Sequence, residues 1–204
     1  MKIWEKSVLL ALILAVLFSF TGFTAGCEDI PNHVLRLHVL ANSDSKQDQE
    51  LKLKVRDRIL AVSAGMMDGV HSRAEAEQAV GLRMAEFKKT AEDEIRREGF
   101  DYPVDVQMSK TYFPTRQYGS VTLPAGDYDA LRVVIGSGKG HNWWCVLFPP
   151  LCLPAAEDSE QLKDVLNGDE MKIVEGDGGY QVKFKSVEVF EQVQDWLRQH
   201  GRDF

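Results

Sequence analysis

Cysteine, clustered basic residues and long apolar runs are all scarce in this chain of 204 residues. Its one strongly apolar stretch, Ser7 to Phe20 (SVLLALILAVLFSF), has 14 residues, short of the ~20 that a membrane-spanning helix needs. No block of Lys and Arg is present to neutralise phosphates, which argues against a nucleic-acid partner. HExxH, CxxC and paired Cys-His spacings are missing, and the five histidines (33, 38, 71, 141 and 200) are scattered. The sequence therefore announces no metal centre, no cofactor and no small-molecule substrate. What remains is a globular composition, 44% hydrophobic and 27% charged, in a chain long enough for one domain with a real core.

The N-terminus carries the first positive signal. Lys2 and Lys6 precede the apolar run, and Thr24-Ala25-Gly26 follow it, the order of parts in an export signal over residues 1–26. A retained membrane anchor is the alternative. Cleavage after Gly26 makes Cys27 the first residue. That arrangement resembles a bacterial lipoprotein signal, although Thr24 stands where an aliphatic residue is usual, so lipidation of Cys27 and ordinary cleavage both stay open. Without residues 1–26, which hold Lys2, Lys6 and Glu5, the chain keeps 22 basic and 30 acidic residues, a net charge of −8. That acidity favours solubility and opposes adsorption to anionic lipid. An exported protein meets disulfide-permissive conditions. Cys145 and Cys152 can close a small loop around Pro149-Pro150 if the backbone turns there; two reduced, buried thiols are the alternative.

Val34 to Leu40 (VLRLHVL) alternates, with Leu35, Leu37 and Val39 on one strongly buried face of a strand. Asn42-Ser43-Asp44-Ser45 ends it, and Ser45 with Asp48 three residues on starts a helix to about Ala64, closed by Gly65. Its apolar stripe is Leu51, Val55, Ile59, Val62 and Met66. A second helix is expected as one piece from Ser72 to Glu98, stopping at Gly99, with a stripe of Ala76, Val80, Met84, Phe87, Ala91 and Ile95. Strands follow over 104–108, 120–123, 128–135 and 143–148, with a turn at Pro124-Ala125-Gly126-Asp127. Beyond Leu153 the composition predicts a hairpin of 172–174 with 180–184, and a terminal helix carrying Val189, Val193, Trp196 and Leu197. The fold class expected is α+β: a single domain over 30–152, its mainly antiparallel sheet packed by two long amphipathic helices, then a C-terminal extension over 153–204.

The stretch GKGHNWWCVLFPPLC (138–152) invites three chemistries. A phosphate loop needs Gly at Val133 and Ser or Thr at Gly140 and has neither, so a glycine-rich turn is the better reading. A thiol enzyme pairing Cys145 with His141 would need them on one helix face, but the segment reads as extended, thiol enzymes usually draw the histidine from far away in sequence, and Val-Leu-Phe-Pro-Pro after the cysteine points to burial. Third, adjacent tryptophans on a strand face opposite sides. Either both are buried within the domain, or one is an anchor for a protein partner.

Two stretches, RLHVLANSDSKQDQELKLKVRDRIL (36–60) and YFPTRQYGSVTLPAGDYDALRVVIGSGKGHNWWCVLFPPLC (112–152), closely resemble the stage II sporulation protein R family. The likeness covers Ile30 to Cys152. The resemblance implies a signalling protein of endospore formers, made in the forespore and exported into the space between the forespore and mother-cell membranes. There it would trigger a membrane-embedded aspartic-type protease that processes pro-sigma-E. It implies contact with that protease rather than catalysis, and it transfers no catalytic residues. Candidate contact residues are Asn142, Trp143 and Trp144, with Arg36, His38, Asn42 and Asp44 as a second surface. A secreted hydrolase acting between the membranes or on the cell wall, built on Cys145 and His141 or on a carboxylate pair, is the competing reading.

Overall fold

Leu35 to Leu40 form strand β1, and every one of its residues is buried. A strand buried on both faces belongs in the middle of a sheet covered on both sides, and that is where it lies. The computed structural model describes residues 4, 27, 29–151, 162 and 164–175. Within them the order is a 3-10 turn (Ile30–Asn32), β1, helices α1 (Lys46–Ala64), α2 (Arg73–Gly81) and α3 (Met84–Arg97), strands β2 (Val104–Phe113), β3 (Arg116–Tyr118), β4 (Val121–Leu123), β5 (Gly126–Ile135) and β6 (Asn142–Phe148), then helix α4 (Gly168–Val174).

The main sheet runs β2-β5-β1-β6, and β3 pairs with β4 in a separate ribbon. β2 with β5 and β1 with β6 are antiparallel, whereas β1 and β5 are parallel, with Leu37 opposite Leu131 and Val39 opposite Val133. The protein is thus α+β with a mainly antiparallel sheet. Alternation divides the core. Leu35, Leu37, Val39, Leu131, Val133 and Cys145 meet Leu51, Val55 and Ile59 of α1 and Phe87, Ala91 and Ile95 of α3. The opposite face packs Ala130, Tyr128, Phe113 and Val146 against Leu123 of the ribbon, Ile30, and Met171 and Val174 of α4. No helix among the described residues is long and apolar enough to cross a membrane.

Local chemistry explains most boundaries. Ser45 caps α1 by accepting the Asp48 amide, and Gly65 ends that helix. Ser72 caps α2 in the same way through the Glu75 amide. The expected single helix over 72–98 is two helices. Gly81 weakens the helix by about 1 kcal/mol relative to Ala, and Arg83 leaves helical geometry at φ −119, ψ 20. Its carbonyl at once accepts the Glu86 and Phe87 amides, so α3 restarts. The expected strand at 172–174 is instead the end of α4. Asn167 accepts the Asp169 and Glu170 amides while Glu170 accepts the Asn167 amide, a full capping box. The partner strand of that expected hairpin (180–184), the terminal helix and Cys152 lie outside the described residues.

Candidate functional site

Two loops from opposite ends of the domain sequence are clamped together where parallel strands β1 and β5 end. Asn42 follows β1, and Gly136 to His141 join β5 to β6. Asn42 Oδ1 accepts the Ser137 amide at 2.9 Å, and the Asn42 carbonyl accepts Ser137 Oγ at 2.7 Å and the Lys139 amide at 3.3 Å. The Gly140 amide donates to the Ala41 carbonyl at 2.9 Å. A Cβ on Gly140 would run into the Ser43 carbonyl, and one on Gly136, at φ +57, into the Asn42 side chain. The GSGKG run is therefore glycine-rich because a Cβ has no room at any of its three glycines, against the Asn42 side chain at Gly136, the Val134 side chain at Gly138 and the Ser43 backbone at Gly140.

The clamp is tied to α1. Asp48, 4% exposed, accepts Asn42 Nδ2 at 2.9 Å and Ser43 Oγ at 2.5 Å. Burial acts to raise its pKa, but the hydrogen bonds from Ser43 and Asn42 outweigh it and hold the carboxyl below its usual value. Lys52, equally buried, donates to the His141 carbonyl at 2.9 Å and to Gln49 Oε1 at 2.6 Å; burial pushes its ammonium down and Asp44 opposes this. At the rim, Asp44 Oδ1 accepts the His141 amide at 2.6 Å and also meets the His141 ring at Nδ1. The amide bond first, and then the ring, hold the Asp44 carboxyl below the ordinary range. Asp44, Ser137, Lys139, His141 and Asn142 are exposed here.

The tryptophans do face opposite sides. Trp143 joins the cluster under the helices, with the Arg56 guanidinium 4.2 Å from its ring centre. Trp144 joins the other cluster, stacked on His38 at 3.8 Å and edge-on to Phe113 at 4.6 Å. Both are half-buried. His38 is buried, and its Nε2 lies 3.0 Å from Asn142 Oδ1, so Nε2 carries the proton and donates. Burial pushes its pKa down to about 4, against the Asn142 bond and with help from Arg132, and the ring is neutral at pH 7.

Arg36 is fully buried. Its Nε donates to the Cys145 carbonyl at 2.9 Å and Nη2 to Tyr118 Oη at 2.7 Å, with Phe113 and Tyr128 against the guanidinium at 4.3 and 4.7 Å. Arg36 and His38 thus support the surface from beneath, whereas Asn142 and Asp44 reach it and Asn42 joins its two loops. Cys145 is buried under α1, while His141 is exposed and engaged by Asp44. Cys27 is buried against the α4 side of the sheet.

The family model for stage II sporulation protein R matches residues 31–158. The chain belongs to that family. Stage II sporulation protein R of Bacillus subtilis (strain 168) is 39% identical over 135 residues, which are 66% of this chain and 60% of that protein. The chain thus spans less than two thirds of this relative's length. No solved structure matches the chain. Membership in the stage II sporulation protein R family implies a sporulation role. The whole clamp, Arg36, His38 and both tryptophans fall inside the matched region; α4 lies beyond it. Sequence reasoning missed Lys139, His141 and Lys52 as parts of one site, since their partners are distant in sequence.

Proposed function

We propose that this chain is exported from the forespore into the space between the forespore and mother-cell membranes. There it triggers, by protein–protein contact, the membrane-embedded aspartic-type protease that processes pro-sigma-E. Family membership across residues 31–158 carries this reading. The export-signal pattern of residues 1–26 and the acidic remainder of the chain support it. On this reading the signal is either cleaved, leaving Cys27 as a lipidated or an ordinary first residue, or retained as an anchor, and a pair of Cys145 with Cys152 fits the same compartment.

The contact surface on this reading is the clamp rim: Asp44, Lys139, His141 and Asn142, with the edges of Trp143 and Trp144 beside it. The four rim side chains are exposed and charged or polar, and they sit on a hydrogen-bonded base, so little order has to be gained on binding. Among the described residues, the burial of Cys145 in the core cluster beneath α1 argues against a thiol hydrolase, because a nucleophile must reach its substrate.

Complementation tests the reading. In sporulating cells lacking their own copy, this chain should restore cleavage of the sigma precursor. The double variant Lys139→Ala, His141→Ala should accumulate normally and lower cleavage at least tenfold. Failure of the unaltered chain contradicts the function; full activity of the double variant contradicts the surface.

A further inference from the structure

A second cluster lies on the opposite side of the sheet from α1. Asp29, just before the 3-10 turn, His33, just after it, and Glu170 in the first turn of α4 bring one ligand atom each within 4.8 Å of one another. His33 Nε2 stands 3.7 Å from Asp29 Oδ2 and 3.6 Å from Glu170 Oε1. Those separations are too long for hydrogen bonds. They are near the spacing of donors around a tetrahedral ion, roughly 3.3–3.6 Å for bonds of ~2.0–2.2 Å.

The carboxylates are oriented from outside the cluster. Asn32 Nδ2 donates to Asp29 Oδ1 at 2.9 Å, leaving Oδ2 toward the histidine. The Asn167 amide donates to Glu170 Oε2 at 2.8 Å, leaving Oε1 toward it. Glu170 is 2% exposed, and its Oε1 has no hydrogen-bond partner among the described residues. A buried carboxylate oxygen without a donor is costly unless a cation meets it. Each carboxylate is thus pinned at one oxygen and offers the other, as the outer partners of metal ligands do.

We propose that Asp29, His33 and Glu170 bind a divalent transition-metal cation of the zinc class, with a fourth position open to water. One imidazole and two carboxylates suit zinc, whereas calcium asks for six to eight oxygens. The ion would tie the segment that follows the export signal to α4, in the part of the chain beyond the family match. The site stands independently of the signalling role.

The test uses the chain at its natural length, dialysed against EDTA and titrated with ZnCl2, CoCl2 and CaCl2 alone. One zinc per chain is expected, with a visible cobalt absorption typical of a four-coordinate site and a melting temperature that rises with zinc. Asp29→Asn, His33→Ala and Glu170→Gln should each weaken zinc binding at least tenfold and abolish the thermal shift, with unchanged far-UV circular dichroism. Should Glu170→Gln fail to fold, the other two variants decide, because Asp29 and His33 reach solvent. No zinc uptake, uptake unchanged in those variants, or calcium bound as tightly as zinc would overturn the site.

Discussion

His38 lies in the sheet with one ring face against Trp144 and, among the described residues, Asn142 Oδ1 to accept from it. Its folded pKa of about 4 is below the ordinary 6.5. Between those values the unfolded chain takes up a proton that the folded chain refuses. Stability therefore falls as pH drops from 6.5 toward 4, by up to about 3 kcal/mol before screening near Asn142 reduces it. Urea unfolding across that window should show this slope. His38→Phe keeps a flat ring on Trp144 and should flatten the dependence; an unchanged slope would show that His38 does not titrate as described. Arg36 shows the limit of reading by residue type. Arginine at an outward position of a half-buried strand suggests solvent, yet Phe113, Tyr118 and Tyr128 enclose it. The alternation of β1 was legible, and so was β4 of the ribbon covering its second face; β3 was not, because a three-residue strand leaves little periodic signal.

At the scale of elements, the clamp packs the Gly140 backbone against that of Ser43, and two glycine substitutions separate fit from flexibility. Gly140→Ala drives a Cβ into the Ser43 carbonyl and should cost about 2 kcal/mol or more. Gly65→Ala, at the end of α1 with φ −71 and nothing within 4 Å, should gain ~0.4–1 kcal/mol by restricting the unfolded chain. Urea midpoints with unchanged m-values measure both. Equal effects at the two sites would mean that the loops are not tightly apposed. Elements whose cues lie within four residues were legible: Ser45 and Asp48 at the start of α1, Ser72 and Glu75 at the start of α2, Gly99 after α3. The break at Leu82-Arg83 was hidden because the apolar stripe continues across it. The capping box of α4 was present as Asn167 and Glu170, but Asn167-Gly168-Asp169 has the composition of a turn, which obscured the cap. Asn42 with Ser137 and Asp44 with His141 are 95 and 97 residues apart, and no local pattern links them.

For the whole molecule, the central sheet separates two regions. One end of it carries the clamp, inside the family match. The face away from α1 and α3 carries the Asp29–His33–Glu170 cluster, which joins the segment just before β1 to a part the family match does not reach. Asp29 and His33 are four residues apart, but the third ligand is 137 residues further on, and that distance is why no metal motif was visible in the sequence. The central claim, that this chain switches on a protease by contact, is tested most directly by reconstitution. The chain, the membrane-embedded protease and the sigma precursor are produced together in a host that does not sporulate, and precursor cleavage is followed by immunoblot. The account predicts cleavage when all three are present and none when this chain is omitted. Absence of cleavage with all three present, or cleavage without this chain, would contradict it.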